Sequence, residues 1–258
     1  MRSDTFWALV RHEFKRKGSW RKRSRTPVAK WWWIAYLSIV LIAVIGSTTY
    51  FAIRETLQLD HIWYATAGFP FALFFIGVGQ VKREWENDTY GWWLTLPYSR
   101  LRLVGAKWIG AWLRIVAIVA VVFAAATLYV AIIALFISRY TFDDVVSFAV
   151  SGLNWLLPLV GFSPLLLSLG MLLASAQHTS WRPLSPVLWV VVMSSGGWMY
   201  ASLDRLFPEN GMLRDSGAQM AVLFPYGWGM PAAVAASLVV SYAIVRLSAY
   251  LLEKKLTV

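Results

Sequence analysis

Reading along the 258 residues for uninterrupted apolar positions gives six runs, near 31–53, 62–81, 113–137, 152–176, 184–202 and 228–250. Each is close to the roughly 20 helical residues that cross a hydrocarbon core, so the pattern predicts an all-α polytopic membrane protein with six transmembrane helices. Ahead of them, "DTFWALVRHEFKRKG" puts Phe6, Trp7, Leu9, Val10 and Phe14 on one helical face and Arg11, His12, Lys15 and Arg16 on the other. That is the periodicity of an amphipathic helix lying in a membrane interface, with Asp4 as a candidate N-cap and Gly18 as its stop. A polybasic tether, "SWRKRSRTPVAK", follows and suits either anionic lipid or a partner surface. The chain therefore divides into residues 1–30, interfacial helix and tether, and a six-helix domain over 31–258. The first run exceeds the 7–15 apolar residues of a signal peptide and lacks a cleavage site, so it is read as a retained helix.

Composition agrees. Hydrophobic residues make up 59% and charged residues 14%, against about 25% charged in soluble domains. Of the 24 Lys and Arg residues, 20 lie before the first run, in 82–114, at Arg182 and at the C-terminal end, which places both termini in the cytoplasm. The net charge of +11 is thus explained by topology rather than by nucleic acid. Trp and Tyr residues at the run ends suit interfacial belts. With no cysteine there is no disulfide, thiolate or cysteine-ligated metal. His12, His61 and His178 are dispersed by this topology, no H-E-x-x-H motif occurs, and no carboxylate lies well inside a run, so neither a catalytic or metal site nor a proton relay is expected. A G-x-x-x-x-G-K-[ST] phosphate loop is absent as well.

The segment "KREWENDTYGWWLTLPYSRLRLVGAKW", residues 82–108, is far richer than a connection needs. Charges from Lys82 to Asp88 carry the second helix out of the membrane, a short helix stopped by Pro97 follows, and Arg100, Arg102 and Lys107 return at headgroup level, with Arg114 snorkelling back. Tyr90, Trp92 and Trp93 are predicted to be displayed by a rigid knob, either to a partner or to the lipid interface. An acidic helix end, a Thr-x-x-x-x-Leu-x-Leu-Pro turn, Ser-Arg and a Lys opening the next helix sit here at Glu84, Glu86, Thr89, Leu94, Leu96, Pro97, Ser99, Arg100 and Lys107.

This arrangement resembles the cytoplasmic loop of permeases of the type-two class of ATP-binding-cassette (ABC) exporters, and the likeness extends over nearly the whole chain. Where that family usually has Gly before the Thr, this chain has Asp88, with Gly91 following. The resemblance implies a permease subunit in a bacterial cell membrane whose residues 84–97 form a coupling helix docking on a separate ATPase. Two ATPase subunits, carrying ATP and Mg, and a second permease chain, identical or homologous, would complete the complex; this chain itself would hold no cofactor. Membrane lipids are the remaining partner. It also implies a pathway lined by the first, second and fifth helices, where Ser47, Thr48, Ser194 and Ser195 are small polar positions able to admit a ligand or simply to let helices pack. Aromatic, uncharged walls suit an amphipathic peptide, a hydrophobic antibiotic or a lipid. Residues 203–231 read as external, either a pair of short helices dipping toward the membrane or a surface loop. A channel, a secondary carrier or a membrane scaffold is the alternative, and an intramembrane enzyme the remote one.

Overall fold

The computed structural model describes residues 3–15, 30–54, 59–194 and 223–254. Helix α1 spans Ser3–Lys15 and α2 Lys30–Ile53; a 3-10 helix at Leu59–Thr66 leads into α3, Phe69–Glu86. The short α4, Tyr90–Thr95, precedes two long helices, α5 at Arg100–Phe136 and α6 at Phe142–Gln177. Helix α7 is described over Arg182–Ser194, and α8 runs Gly229–Lys254.

Four of these, α2, α5, α6 and α8, are long and apolar enough to cross a membrane. The second apolar run begins differently from expectation. Residues 62–66 belong to the 3-10 helix, because Gly68 and Pro70 open a new α-helix at Phe69. Helix α3 then continues to Glu86 and so carries four charged residues in its last turns. Helices α5 and α6 each start about ten residues or more before their apolar runs do, since a helix can leave the apolar layer without breaking. Residues 16–29, with Gly18 and all of the tether but Lys30, and residues 195–222, with Ser195, lie outside the described residues. Helix α1 is described from Ser3, so Asp4 is inside it rather than capping it.

Helix α6 is central. It packs against α3, α5 and α8 and is buried along most of its length, whereas the apolar stretch of α2 is not buried. Glycines make the closest crossings: a Cβ on Gly77 of α3 would run into the Leu167 carbonyl, and one on Gly170 of α6 into that of Phe74. Backbones in contact are how helices associate where no hydrophobic force separates them from lipid. At the far end of α6, Trp63 of the 3-10 helix lies flat over Gly152, stacks on Phe148 at 4.8 Å and donates to the Phe148 carbonyl at 3.0 Å.

Two prolines inside α6 create a specific demand. Pro158 and Pro164 lack the N–H that would bond the carbonyls of Asn154 and Val160. Both carbonyls are answered by hydroxyls. Ser163 donates to Val160 O at 2.7 Å, and Tyr226, ahead of α8, donates to Asn154 O. The Phe224 N–H donates to Asn154 Oδ1 at 3.0 Å, so residues 224–226 form a latch on the proline gap. Burial pushes the Tyr226 phenol above its ordinary range and keeps its donor proton in place. Residues 223–228 are non-helical, with Phe224 at φ 64, so this part of residues 203–231 is not one of the expected short helices.

Removing the phenol should expose that demand. Tyr226→Phe is expected to cost about 1–3 kcal/mol, the usual penalty for orphaning a buried acceptor. Adding Pro158→Ala restores a backbone donor to Asn154, so the same Tyr226→Phe change should then cost much less. Thermal unfolding of the four proteins of this cycle in detergent measures the difference.

Candidate functional site

The end of α3 and the start of α5 enclose a buried ion cluster. Lys107 is 1% exposed and Glu84 is 2% exposed. The ammonium donates to Glu84 Oε1 at 2.7 Å and to Glu13 Oε1 of α1 at 2.9 Å, with Nζ also 5.1 Å from the Trp93 ring centroid. The Thr89 hydroxyl donates to Glu84 Oε2 at 2.6 Å, and the Thr89 N–H to the Glu84 carbonyl at 2.9 Å. Both carboxylate oxygens of Glu84 are thus engaged, one by α5 and one by the residue that opens α4.

A second set of contacts extends along α5. Lys107, Gly110 and Arg114 fall at i, i+3 and i+7, on one helical face. Gly110 lets α1 approach until its missing Cβ would be 3.0 Å from Glu13 Cβ and 3.2 Å from Val10 O. Arg114 donates to the Glu13 and Phe14 carbonyls, two of the acceptors a helix end leaves open. Neither base reaches for headgroups, as the sequence had suggested; both turn onto α1. The apolar face expected of α1 divides accordingly, Val10 being buried and Trp7 and Phe14 exposed.

The 82–99 connection is held by rings. Trp85 stacks on Tyr90 at 5.6 Å and on His178 at 4.3 Å, and meets Trp93 edge-on at 6.4 Å. His178 caps α6, so this stack ties two loops together. Asp88 turns the chain with φ 55, in the left-handed region that glycine enters freely and Asp tolerates better than most residues. That is the position where the resemblance calls for Gly. Leu96, ahead of Pro97, has extended backbone (φ −56, ψ 140), which ends α4 at Thr95.

Of the nine residues expected to face an ATPase, the structure leaves Glu86, Trp92 and Pro97 exposed and Thr89, Tyr90, Leu94 and Leu96 half-buried. Glu84 and Trp93 point inward. Glu86 pairs at 3.3 Å with Lys82 on its own helix. Trp92 is 72% exposed and borders a pocket of about 460 Å³ between α1 and α4, with Leu9, His12, Leu96 and Tyr98 among its walls. Sequence reasoning missed Glu13 and Gly110; the i, i+3, i+7 spacing on α5 was the available signal.

The pathway candidates fall in two places. Thr48 and Thr49 share the Tyr129 hydroxyl of α5 at 2.6 and 2.8 Å, while Ser47 donates to Val44 O of its own helix at 3.0 Å. Ser194 lines a shallow pocket with Trp189, Val190 and Met193 of α7. The structure does not bring these positions into one described cavity.

Residues 20–197 match the family model described as "ABC-2 family transporter protein". The chain belongs to the ABC-2 transporter family. It is a transmembrane, multi-pass permease of the ABC type-2 class. The match takes in α2 through α7, hence Glu84, Thr89 and Lys107, while Glu13 of α1 and all of α8 lie beyond it. No curated protein and no solved structure matches the chain.

Two measurements probe how the permease holds this loop. Asp88→Gly should raise stability slightly or leave it unchanged, whereas Asp88→Val should cost about 1–2 kcal/mol, since a β-branched residue is poorly tolerated at positive φ; thermal unfolding distinguishes them. For His178, burial first and then the charges of Arg182 and Lys82 hold the imidazole below its ordinary value, which is about 6.5. The unfolded chain therefore takes up the proton first, and stability present above about pH 6.5 is lost as pH falls through the lower folded value. His178→Phe, which keeps a ring on Trp85, should flatten the fall in melting temperature between pH 7 and pH 5.

Proposed function

We propose that this permease is the membrane subunit of an ATP-driven exporter, docking on a separate P-loop ATPase through residues 84–97 and moving an amphipathic or hydrophobic cargo. The observation that carries this reading is Trp92. A tryptophan left open on α4, beside neighbours fixed inward by Lys107, Trp85 and His178, is a rigid anchor already held in place for a partner's pocket. These 258 residues carry no phosphate loop, which supports an energy source outside them.

Two such permeases, alike or homologous, with two ATPases and their ATP and Mg, make the complete machine in this reading. Six crossings would place both termini and residues 82–108 in the cytoplasm, as the placement of 20 of the 24 Lys and Arg residues favours. Residues 1–30 act as interfacial helix and tether, and 31–258 as the transmembrane domain. Ser47 and Thr48 on α2, Ser194 at the described end of α7, and Ser195 next to it in sequence are the cargo contacts in this reading. The exposed, uncharged surface of α2 is consistent with an apolar or amphipathic cargo.

The buried and open tryptophans give the test. Trp92→Ala should weaken binding of the ATPase that co-purifies with the tagged permease about thirtyfold, the equivalent of a hot spot worth about 2 kcal/mol. Melting temperature should hardly change. Glu86→Gln should change affinity by less than threefold, because an exposed pair contributes under about 1 kcal/mol. If Trp92→Ala loosens membrane insertion but binds the ATPase normally, the residue is a lipid anchor and the docking reading fails.

A further inference from the structure

The ion cluster raises a question that docking alone does not answer: why an ammonium is buried where apolar side chains would pack more cheaply. Replacing buried ion pairs with apolar residues is often neutral or stabilising, so such a pair is poorly explained by stability. What it supplies is direction. An ammonium has three donors and no acceptor, and here two go to carboxylates on different helices while the head sits over the face of Trp93. Four elements, α1, α3, α4 and α5, thus each place a group at one nitrogen.

The bonds form a continuous chain. Glu13 on α1 joins Lys107 on α5, Lys107 joins Glu84 on α3, Glu84 joins Thr89, and the Thr89 carbonyl accepts from the Trp93 N–H in α4 at 2.8 Å. Apolar contacts around this chain, such as Leu9, Leu96 and Leu103, tolerate sliding and rotation. The bonded chain does not. Gly110 and Arg114 hold α1 to α5 independently, and the rings of Trp85, Tyr90 and His178 tie the loop to the ends of α3 and α6, so what Lys107 adds is the orientation of α4 against α1 and α5.

We propose that Lys107 is a positioning residue for coupling: its buried ammonium fixes the loop bearing Trp92 in one orientation against α1 and α5, so that force applied to the loop reaches the membrane helices through α5. The part concerning force rests on the docking reading above. The orientation itself does not.

Because the chain has no cysteine, spin labels can be placed at His12→Cys and Thr95→Cys, both exposed, and their separation measured by pulsed electron resonance on the full chain in lipid nanodiscs. The labelled native background should give one narrow distance distribution. The variant Lys107→Met with Glu13→Gln and Glu84→Gln removes all three charges of the cluster together and should broaden or split that distribution. If this variant does not fold, Glu84→Gln alone keeps Lys107 paired with Glu13 and should still broaden it. Lys107→Arg, which retains the charge, should restore a single distribution. An unchanged width in the folded triple variant, or in Glu84→Gln where only that folds, overturns the proposal.

With the co-purified ATPase reconstituted, the ratio of transport-stimulated to basal hydrolysis should fall about tenfold in the triple variant, within the range seen for residues that carry coupling. A broadened distance with an unaltered ratio would overturn the coupling role. Loss of ATPase binding to the native chain would instead defeat the docking reading and leave the distance result standing.

Discussion

A charge placed beyond the reach of water must be answered by protein, and in this permease Lys107 is answered three times, by Glu84, Glu13 and the ring of Trp93. Much of the loop end of the molecule depends on that arrangement. It adds a charged bond to the α1–α5 packing that Gly110 and Arg114 already make, turns the carboxylate at the end of α3 inward, and fixes the hydroxyl that opens α4. The exposure of Trp92 accompanies this: with Trp93 turned to the ammonium, its neighbour sits about 100° further round a six-residue helix and is left open.

The same rule governs the apolar interior, where the unanswered groups are peptide carbonyls. Proline leaves one open at Asn154 and another at Val160, and the fold supplies a hydroxyl to each, one from within α6 and one from the chain ahead of α8. Glycine solves the complementary problem. At Gly77, Gly170 and Gly110 it removes a side chain so that neighbouring backbones can close up. Polar satisfaction and backbone approach, rather than bulk hydrophobicity, give this helical assembly its register.

The long apolar runs were legible because burial in lipid requires nearly every residue to be apolar, and α2, α5, α6 and α8 begin or end close to where their runs do at one end at least. Proline and glycine punctuation was legible too, as at Leu96–Pro97. What composition could not reveal is pairing between distant elements. Glu13 and Lys107 are 94 positions apart, and each alone reads as a charge at the lipid boundary. Glu84 read as a displayed acid for the same reason: exposure and burial of a carboxylate at a helix end look alike until the partner is known. The family match reached the loop but not Glu13, so it could not have indicated this pairing either.

Helix α2 stands apart from this tightly bonded body. Near one end it is joined to the body at Thr48 and Thr49 on Tyr129 and at Ala52 in the apolar cluster beneath the 3-10 helix. From Ile34 to Ile45 nearly all of its uncharged side chains are exposed on the protein. A crossing helix with so little of its surface covered by protein has lipid for its remaining wall, so its tilt answers to the thickness of the bilayer as well as to its neighbours.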